Sequence, residues 1–407
     1  MKAPAILKNK KTLKKILITT GVMMLFIVGK NIRAPGFNGT IIDMLSNSFL
    51  TMLSLIGGGA IEQMSIFSLG IGPYLSASIV ISLLSMDVIP YLVELKKDGR
   101  KGQKKIEYIT FCFGAILSIF QGFFLAKGLY SYVLNPGTKS YLFIAAILTV
   151  GSMITYGLGL IIDKWGIGNG MSMIIFAGIV SGIPYSFYSA FNALSTGMFV
   201  CFVLAYLTII IAVIIVQSAE RKIPVQYSRA INTTKGNLTH LPLKINSASV
   251  MPVIFASAVI QAPQIVMSWI NYDIYRKMNE ALSMGKWYML VFYGLLIIGF
   301  TFFYANAQID PAKIAKDLAK EKAYVPGIRQ GKETQEYISK VLNSITVLGS
   351  ILLALIALLP YLVSRITGFN LSLGGTGIII AVGVAIEFVN AIKTDMVEKK
   401  YKSFVGK

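Results

Sequence analysis

The spacing of the charged residues constrains the fold of this 407-residue chain more than any other sequence feature. Long stretches contain no Asp, Glu, Lys or Arg, and the longest of them runs from Trp165 to Ala219. A charge at the middle of a bilayer costs about 2.5–3.5 kcal/mol, and about 20 apolar helical residues cross the hydrocarbon core. The charge-free stretches therefore predict membrane-spanning helices. Composition agrees, because 14% of the residues are charged, whereas soluble domains have about 25%.

Ten spans account for these stretches. The stretch from Trp165 to Ala219 fits two helices with a break near Ser186–Thr196, where Pro184, Asn192 and Gly197 interrupt the apolar pattern. We number the predicted spans in chain order: 16–29, 66–85, 108–126, 140–162, two within 165–219, 250–270, 287–305, 341–364 and 374–392.

The distribution of Lys and Arg predicts the orientation of the spans. An even number of spans leaves both chain ends on one side of the membrane. Segments on that side, including the loops 219–249 and 306–340, contain 30 of the 38 Lys and Arg residues, and segments on the other side contain 8. By the positive-inside rule the richer side is cytoplasmic, so both termini are expected in the cytoplasm.

Two halves of five spans each would cover residues 1–195 and 196–407. An odd number of spans per half inverts the second half, and many membrane transport proteins carry their pathway between such inverted repeats. The second and seventh spans both contain Gly or Pro near the start, at Gly70, Pro73 and Pro252. This similarity favours a repeat.

The sequence lacks the residues that several classes of function require. The net charge of +20 falls in short blocks between apolar runs, which indicates topology and not a nucleic-acid partner. Cys112 and Cys201 lie inside apolar runs and fit small buried side chains, and the single His240 cannot form a metal site alone. We therefore expect no metal, no cofactor and no enzyme activity. The chain also has no phosphate-binding loop, and so no nucleotide-driven motor of its own.

A secondary transporter for small solutes is a competing interpretation. It would need paired ionisable groups at membrane depth, and the stretches 140–162 and 165–219 contain none. Glu387 is the one acid deep inside an apolar run. Such a group is a functional candidate by default, although we favour helix capping or contact with water.

Five segments resemble the SecY family of protein-conducting channels, in family order and at similar spacing. The resemblance implies an all-α polytopic membrane protein in which ten transmembrane helices form two inverted five-helix halves around a central pore. The segments are GGGAIEQMSIFSLGIGPYLSASIVISLL (57–84), GIGNGMSMIIFAGIV (166–180), ERKIPVQYSRA (220–230), LPLKINSASVMPVIFAS (241–257) and YVPGIRQGKET (324–334).

The resemblance implies a pore ring of aliphatic side chains. Such a ring can deform around a polypeptide, offers ions no ligands and can exclude water. Spacing is compatible, because Ile71 and Leu75, like Met171 and Ile175, are four residues apart and so share one helical face. Each residue taken alone is equally compatible with ordinary packing. The ring positions are Ile71, Leu75, Met171, Ile175, Ile254 and Ile380.

The resemblance also implies a plug at about residues 56–64 and a lateral gate between the second and seventh spans. Ser76 and Ala262 match gate positions, where an apolar signal sequence would part the helices and reach lipid. A plain Gly-rich outer loop is the alternative for the plug. The plug residues are Gly57, Gly58, Gly59, Ala60, Ile61 and Glu62.

Basic residues of the cytoplasmic loops are the expected docking surface for a motor ATPase or a ribosome. The best match is Arg329, which follows a Pro-Gly turn that can hold it in place; plain positive-inside topology is the alternative for Arg221, Lys222 and Arg229. The family resemblance implies a SecE-like small membrane subunit, a SecA-like motor ATPase, membrane lipids and a secreted preprotein with a signal sequence. It also implies the bacterial cytoplasmic membrane as the location.

Three features resemble the accessory SecY of Gram-positive bacteria, which is associated with export of serine-rich glycoprotein adhesins. They are the short chain, the compact outer segment 271–286 and the basic loop 95–105. The sequence GGTG at 374–377 also departs from the Gly-Thr-Ser that is usual in the family. The alternative is the housekeeping SecY channel of general secretion.

Overall fold

Helices form most of the chain in the computed structural model, which describes residues 10–37, 64–85, 89–129, 132–227, 239–246, 250–270, 281–282, 286–367 and 375–405. The helices are α1 (Lys10–Lys30), α2 (Gly72–Leu84), α3 (Pro90–Lys97), α4 (Gly99–Gly128), α5 (Thr138–Trp165), α6 (Gly170–Ala193), α7 (Thr196–Ser218), α8 (Met251–Ile270), α9 (Trp287–Gln308), α10 (Pro311–Lys320), α11 (Lys332–Thr367) and α12 (Gly375–Val405). The strands are β1 (Glu220–Tyr227), β2 (Thr239–Lys244) and β3 (Ala323–Tyr324).

Ten of these helices coincide with the ten predicted spans. Within the described ranges, eight are long and apolar enough to cross a membrane, and the shorter apolar helices α2 and α8 complete the set. The prediction of a polytopic helical membrane protein is therefore confirmed. Helices α3 and α10 lie outside the spans, in the loops that follow the second and eighth spans.

The second span differs from its prediction. Helix α2 begins only at Gly72, and residues 64–71 form turns that are mostly buried. Backbone hydrogen bonds hold this segment, because the N–H of Ala34 donates to Met64 O (2.7 Å) and the N–H of Ile66 donates to Ile32 O (3.0 Å). Non-helical backbone at membrane depth is tolerated where protein surrounds it and satisfies its polar groups.

The long charge-free stretch divides within the predicted interval. Helix α6 ends at Ala193 and α7 begins at Thr196. Pro184, expected to interrupt the pattern, lies inside α6 instead. A proline removes one backbone hydrogen bond, and transmembrane helices tolerate this loss.

The helix packing follows the same scheme in the first five and the last five spans. In the first set, the packed pairs are spans 1 and 4, 1 and 5, 2 and 3, 3 and 4, and 4 and 5; in the second set, they are spans 6 and 9, 6 and 10, 7 and 8, 8 and 9, and 9 and 10. Contacts of α12 with α6 and α1, and of α4 with α8, join the sets. The largest apolar core contains side chains from both sets.

A small sheet in the loops was not predicted. Its order is β2–β1–β3, with β1 antiparallel to both neighbours and Ile223 opposite Leu241. Ile223 and Val225 are buried and alternate with exposed residues. Val225 packs with Leu318 of α10 and Ile338 of α11. The sheet thus belongs to the loops between the spans.

The start of the first helix and the end of the last helix lie side by side. The hydroxyl of Thr12 in α1 donates a 2.8 Å hydrogen bond to the carboxylate of Asp395 in α12. An even number of spans leaves both chain ends on one side of the membrane, and this contact agrees with the predicted ten.

Candidate functional site

The residues assigned to a pore ring share one apolar core. Ile71, Leu75, Ile175, Ile254 and Ile380 are buried in it, and Met171 packs against it while partly exposed. They come from four helices far apart in the sequence, so their proximity is a property of the tertiary structure.

The start of α2 is fixed by polar contacts. Ile71 is the residue before the helix, and its carbonyl oxygen accepts the N–H of Leu75 at 3.0 Å. The hydroxyl of Ser152 in α5 donates to the carbonyl oxygen of Gly70 at 2.9 Å. These bonds satisfy backbone groups at membrane depth and hold Ile71 and Leu75 within the core.

The start of α6 is held equally firmly. The side chain of Asn169 accepts the N–H of Ser172 (3.2 Å), and the carboxylate of Asp163 accepts the N–H of Gly170 (2.7 Å). Helices α5 and α6 cross so closely that a Cβ on Gly170 would collide with the carbonyl oxygen of Gly159. This crossing fixes the height at which Ile175 faces the core.

A cavity of about 230 Å³, here called the central cavity, lies against the ring residues. Three of them, Ile175 of α6, Ile254 of α8 and Ile380 of α12, form part of its wall. The described residues that line the central cavity are Asn169, Ser172, Ile175, Val250, Met251, Ile254, Tyr304, Ile380, Val384 and Glu387.

Four polar residues of this wall were not predicted as site residues: Asn169, Ser172, Tyr304 and Glu387. The sequence did mark Glu387 as an acid inside an apolar run. Its position beside the ring could also be inferred from the sequence. Glu387 lies seven residues after Ile380, and helical residues i and i+7 share a face. Within the described ranges, no group of three or more His, Cys, Asp or Glu side chains is placed to hold a metal ion.

The predicted plug residues, Gly57 to Glu62, lie outside the described residues. The structure describes the flanks of the segment that contains them. The two flanks pair with each other, because Arg33 pairs with Ser65 and the N–H of Ala34 donates to Met64 O. Phe37, on the N-terminal flank, also pairs with Val133. Both ends of the segment 38–63 are therefore held in the same region of the protein.

The predicted gate residues lie on separate helices that both meet a third. Ser76 is half-buried on α2, and Ala262 lies in α8, where its side chain is outside the described part. Helix α4 packs against both α2 and α8. The structure therefore connects the two proposed gate helices through α4.

The predicted docking residues that the structure describes are all exposed. Arg221 and Lys222 lie on β1, with the ammonium of Lys222 3.6 Å from the carboxylate of Glu220. Arg229 lies outside the described residues.

Arg329 follows a tight turn, as the sequence predicted. The N–H of Ile328 donates to Val325 O at 3.1 Å, and Gly327 has a φ of +81°. A proline followed by a left-handed glycine, as at Pro326 and Gly327, is characteristic of a type II turn. The hydroxyl of Thr334 donates to the carbonyl oxygen of Arg329 at 2.7 Å. The backbone of Arg329 is thus held from both sides while its side chain remains exposed.

A family model described as SecY matches residues 65–389, which covers all of the central cavity. The chain belongs to the SecY family.

Curated relatives extend the SecY match over nearly the whole chain. A protein translocase subunit SecY of Staphylococcus carnosus is 37% identical over 98% of this chain and 98% of its own. One of Streptococcus gordonii is 38% identical over 98% of this chain and 97% of its own. SecY membership agrees with a chain that is not an enzyme.

Solved structures share the SecY fold. A structure described as that of a protein conducting channel superposes with a TM-score of 0.71 at 16% identity, over 98% of both chains. Sec61 in a canine ribosome-channel complex gives a TM-score of 0.66 at 16% identity, again over 98% of both chains. At this identity the likeness concerns the fold, and it agrees with the ten-helix architecture.

Proposed function

We propose that this chain is the central channel subunit of a Sec-type translocase, which moves signal-bearing polypeptides across or into the bacterial cytoplasmic membrane. One structural observation supports this proposal for a member of the SecY family. Helices α6, α8 and α12, from both sets of five spans, bring Ile175, Ile254 and Ile380 to the wall of one cavity.

The six aliphatic ring residues are proposed as the seal of the pore. Aliphatic side chains offer no ligands to replace the hydration shell of an ion, and a narrow apolar constriction loses its water. Side chains from four helices can move apart without breaking hydrogen bonds. Such a ring can pass a bulky polypeptide and close behind it.

The two proposed halves, 1–195 and 196–407, would be the moving bodies. The identical packing scheme of spans 1 to 5 and spans 6 to 10 supports this division. The pore would lie between the halves, as in other inverted repeats.

The plug and lateral gate remain part of this proposal. The anchored ends of the segment 38–63 support a plug that moves while its base stays fixed. The gate would open between α2 and α8, beside Ser76 and Ala262. A signal sequence would gain free energy there by burying apolar surface, at roughly 25 cal/mol per Å².

The loops are proposed as the cytoplasmic docking face. Arg329, Arg221 and Lys222 are exposed there, and Arg229 lies in the same loop as β1. An acidic surface of a SecA-like motor would be steered to them. This orientation places both termini in the cytoplasm, with a SecE-like subunit and lipids around the helices.

The finer proposal is an accessory translocase that exports serine-rich glycoprotein adhesins. The short length of the segment 271–286 and the basic sequence of the loop 95–105 support it. General secretion is the alternative, favoured by the name protein translocase subunit SecY that the relatives carry. Mass spectrometry of co-purified proteins separates the two. An accessory system should yield a second motor with glycosylation-linked partners, and a housekeeping channel should yield the general motor.

Reconstitution tests the channel itself. The chain with its small subunit and motor ATPase, in proteoliposomes, should protect a signal-bearing preprotein from added protease when ATP is present. The same preprotein without its signal sequence is the control. ATP-independent or signal-independent protection would contradict the proposal.

A further inference from the structure

The central cavity has one polar end and one apolar end. On α12, Ile380, Val384 and Glu387 line it in a single row, and seven helical residues span about 10 Å. On the α6 side, Asn169 and Ser172 line it before Ile175. In chain order the α6 row runs from polar to aliphatic and the α12 row from aliphatic to polar. Because the fifth and tenth spans cross the membrane in opposite directions, the polar residues of both rows lie on the same side of the ring.

The polar end faces the side where the chain ends meet. Helix α12 continues from Ile380 through Glu387 to Asp395, and Asp395 bonds to α1 near its start. Glu387 therefore lies between the ring and the side proposed as cytoplasmic. A polypeptide that enters from the cytoplasm would reach Glu387 before it reaches the ring.

Glu387 provides the charge of this wall. It is the sole Asp, Glu, Lys or Arg residue among the described residues that line the central cavity. The nearby start of α6 does not offer a free anion site, because Asp163 takes the N–H of Gly170 and Asn169 takes the N–H of Ser172. The polar end therefore favours a cation, with the hydroxyl oxygens of Ser172 and Tyr304 as further acceptors.

The positive charge of the loops and the apolar ring explain what a cation site would contribute to translocation. The loops are basic, and the chain carries a net charge of +20, so a basic segment of an incoming polypeptide is repelled. The apolar ring then disfavours its charges further. A carboxylate just before the ring lowers the free energy of a Lys or Arg side chain at that point.

We propose that the polar end of the central cavity binds Lys and Arg side chains of the translocating polypeptide, with Glu387 as their counter-ion. This inference rests on the proposed channel function and assigns the substrate groups that the cavity recognises. Glu387 acts as a specificity-determining residue for basic segments.

The test uses proteoliposomes and three preproteins that share one signal sequence and differ in one central insert of Lys, Gln or Glu residues. With Glu387→Gln, translocation of the Lys preprotein should slow about fivefold relative to the Gln preprotein, a loss of roughly 1 kcal/mol. The Glu preprotein should not slow. Glu387→Asp should retain most of the preference. Glu94→Gln, which neutralises an exposed acid on α3, should leave all three rates unchanged.

Other outcomes are decisive as well. Equal slowing of all three preproteins, or no slowing of any, would overturn the inference while leaving the channel function intact. Failure of the unmodified chain to translocate the Gln preprotein would instead count against the channel function. Should Glu387→Gln fold poorly, Ser172→Asp adds a second carboxylate and should speed the Lys preprotein relative to the Gln preprotein. An unchanged ratio in Ser172→Asp would again overturn the inference.

Discussion

The ammonium of Lys15 lies 2.6 Å from the carboxylate of Asp395, which joins the first transmembrane helix to the last. Asp395 is well shielded, with 13% of its side chain exposed, whereas Lys15 is 41% exposed. Thr12 donates to the other oxygen of the same carboxylate. This contact links the two proposed halves at the side where the chain ends meet.

Asp395→Asn should weaken this link modestly. Solvent reaches Lys15, so we expect a loss of about 0.5–1 kcal/mol in stability. Thermal unfolding in detergent measures it, and a double-mutant cycle with Lys15→Gln isolates the pair. Asp317→Asn is the matched control, because its 3.5 Å pair with Lys320 is exposed on both sides. A pair energy of zero for Lys15 and Asp395 would contradict a role for the contact.

Gly170→Ala should destabilise the protein by about 2–3 kcal/mol, since its Cβ would meet the backbone oxygen of Gly159 and push α5 and α6 apart. Gly157→Ala in α5 is the control, because no atom lies within 4 Å of its Cβ position. That variant should be neutral or gain up to about 1 kcal/mol, since Ala favours helix. Equal unfolding temperatures for the two variants would show that α5 and α6 can accommodate a Cβ at Gly170 without loss of stability.

The proposed pore ring predicts that alanine substitutions at two neighbouring isoleucines differ in their effect on ion leakage. Ile380→Ala should let ions leak, because it removes aliphatic volume from the wall of the central cavity. Ile379→Ala should not, because Ile379 is fully buried in the core and does not line that cavity. Both should lose about 2 kcal/mol or more in stability. Potassium efflux from vesicles gives the comparison, and leakage from both or neither would argue against the ring.

A disulfide between the proposed gate helices should block export. Ser76→Cys and Ala262→Cys are introduced together after the native Cys112 and Cys201 are replaced by Ala, since both native thiols are at least partly exposed. Oxidation should stop translocation and reduction should restore it, because the helices can no longer part. Each single cysteine is a control. A crosslinked channel that still exports would disprove the gate assignment.

Arg329→Glu should insert normally and lose motor-driven export. The turn fixes the backbone of Arg329, so reversal of its charge should repel an acidic motor surface at a defined point. Lys316→Glu, a reversal at another exposed residue on α10, should retain most export. The measurements are ATP-dependent translocation and motor affinity. Similar losses in both variants would indicate a general charge effect.

The membrane architecture was predictable because its physics is local. A charge in hydrocarbon is costly wherever the rest of the chain lies, so the charge gaps, together with the break predicted inside the longest gap, gave ten spans. The helix boundaries were less accessible. The second span was predicted from Ile66, but α2 begins at Gly72, since tertiary hydrogen bonds such as Ser152 to Gly70 stabilise turns there. The sheet was missed because β1 has a short period-2 signal inside a charged loop.

The sequence by itself determined that this chain crosses a membrane ten times, because hydrophobic length and charge placement act through each segment alone. Its motifs also indicated the SecY family. Only the tertiary structure decided what lies around the central cavity. Ile175, Ile254, Ile380 and Glu387 occupy three helices, and their distances depend on close crossings such as Gly159 against Gly170. Such packing couples residues far apart in the chain, and no local pattern in the sequence encodes it.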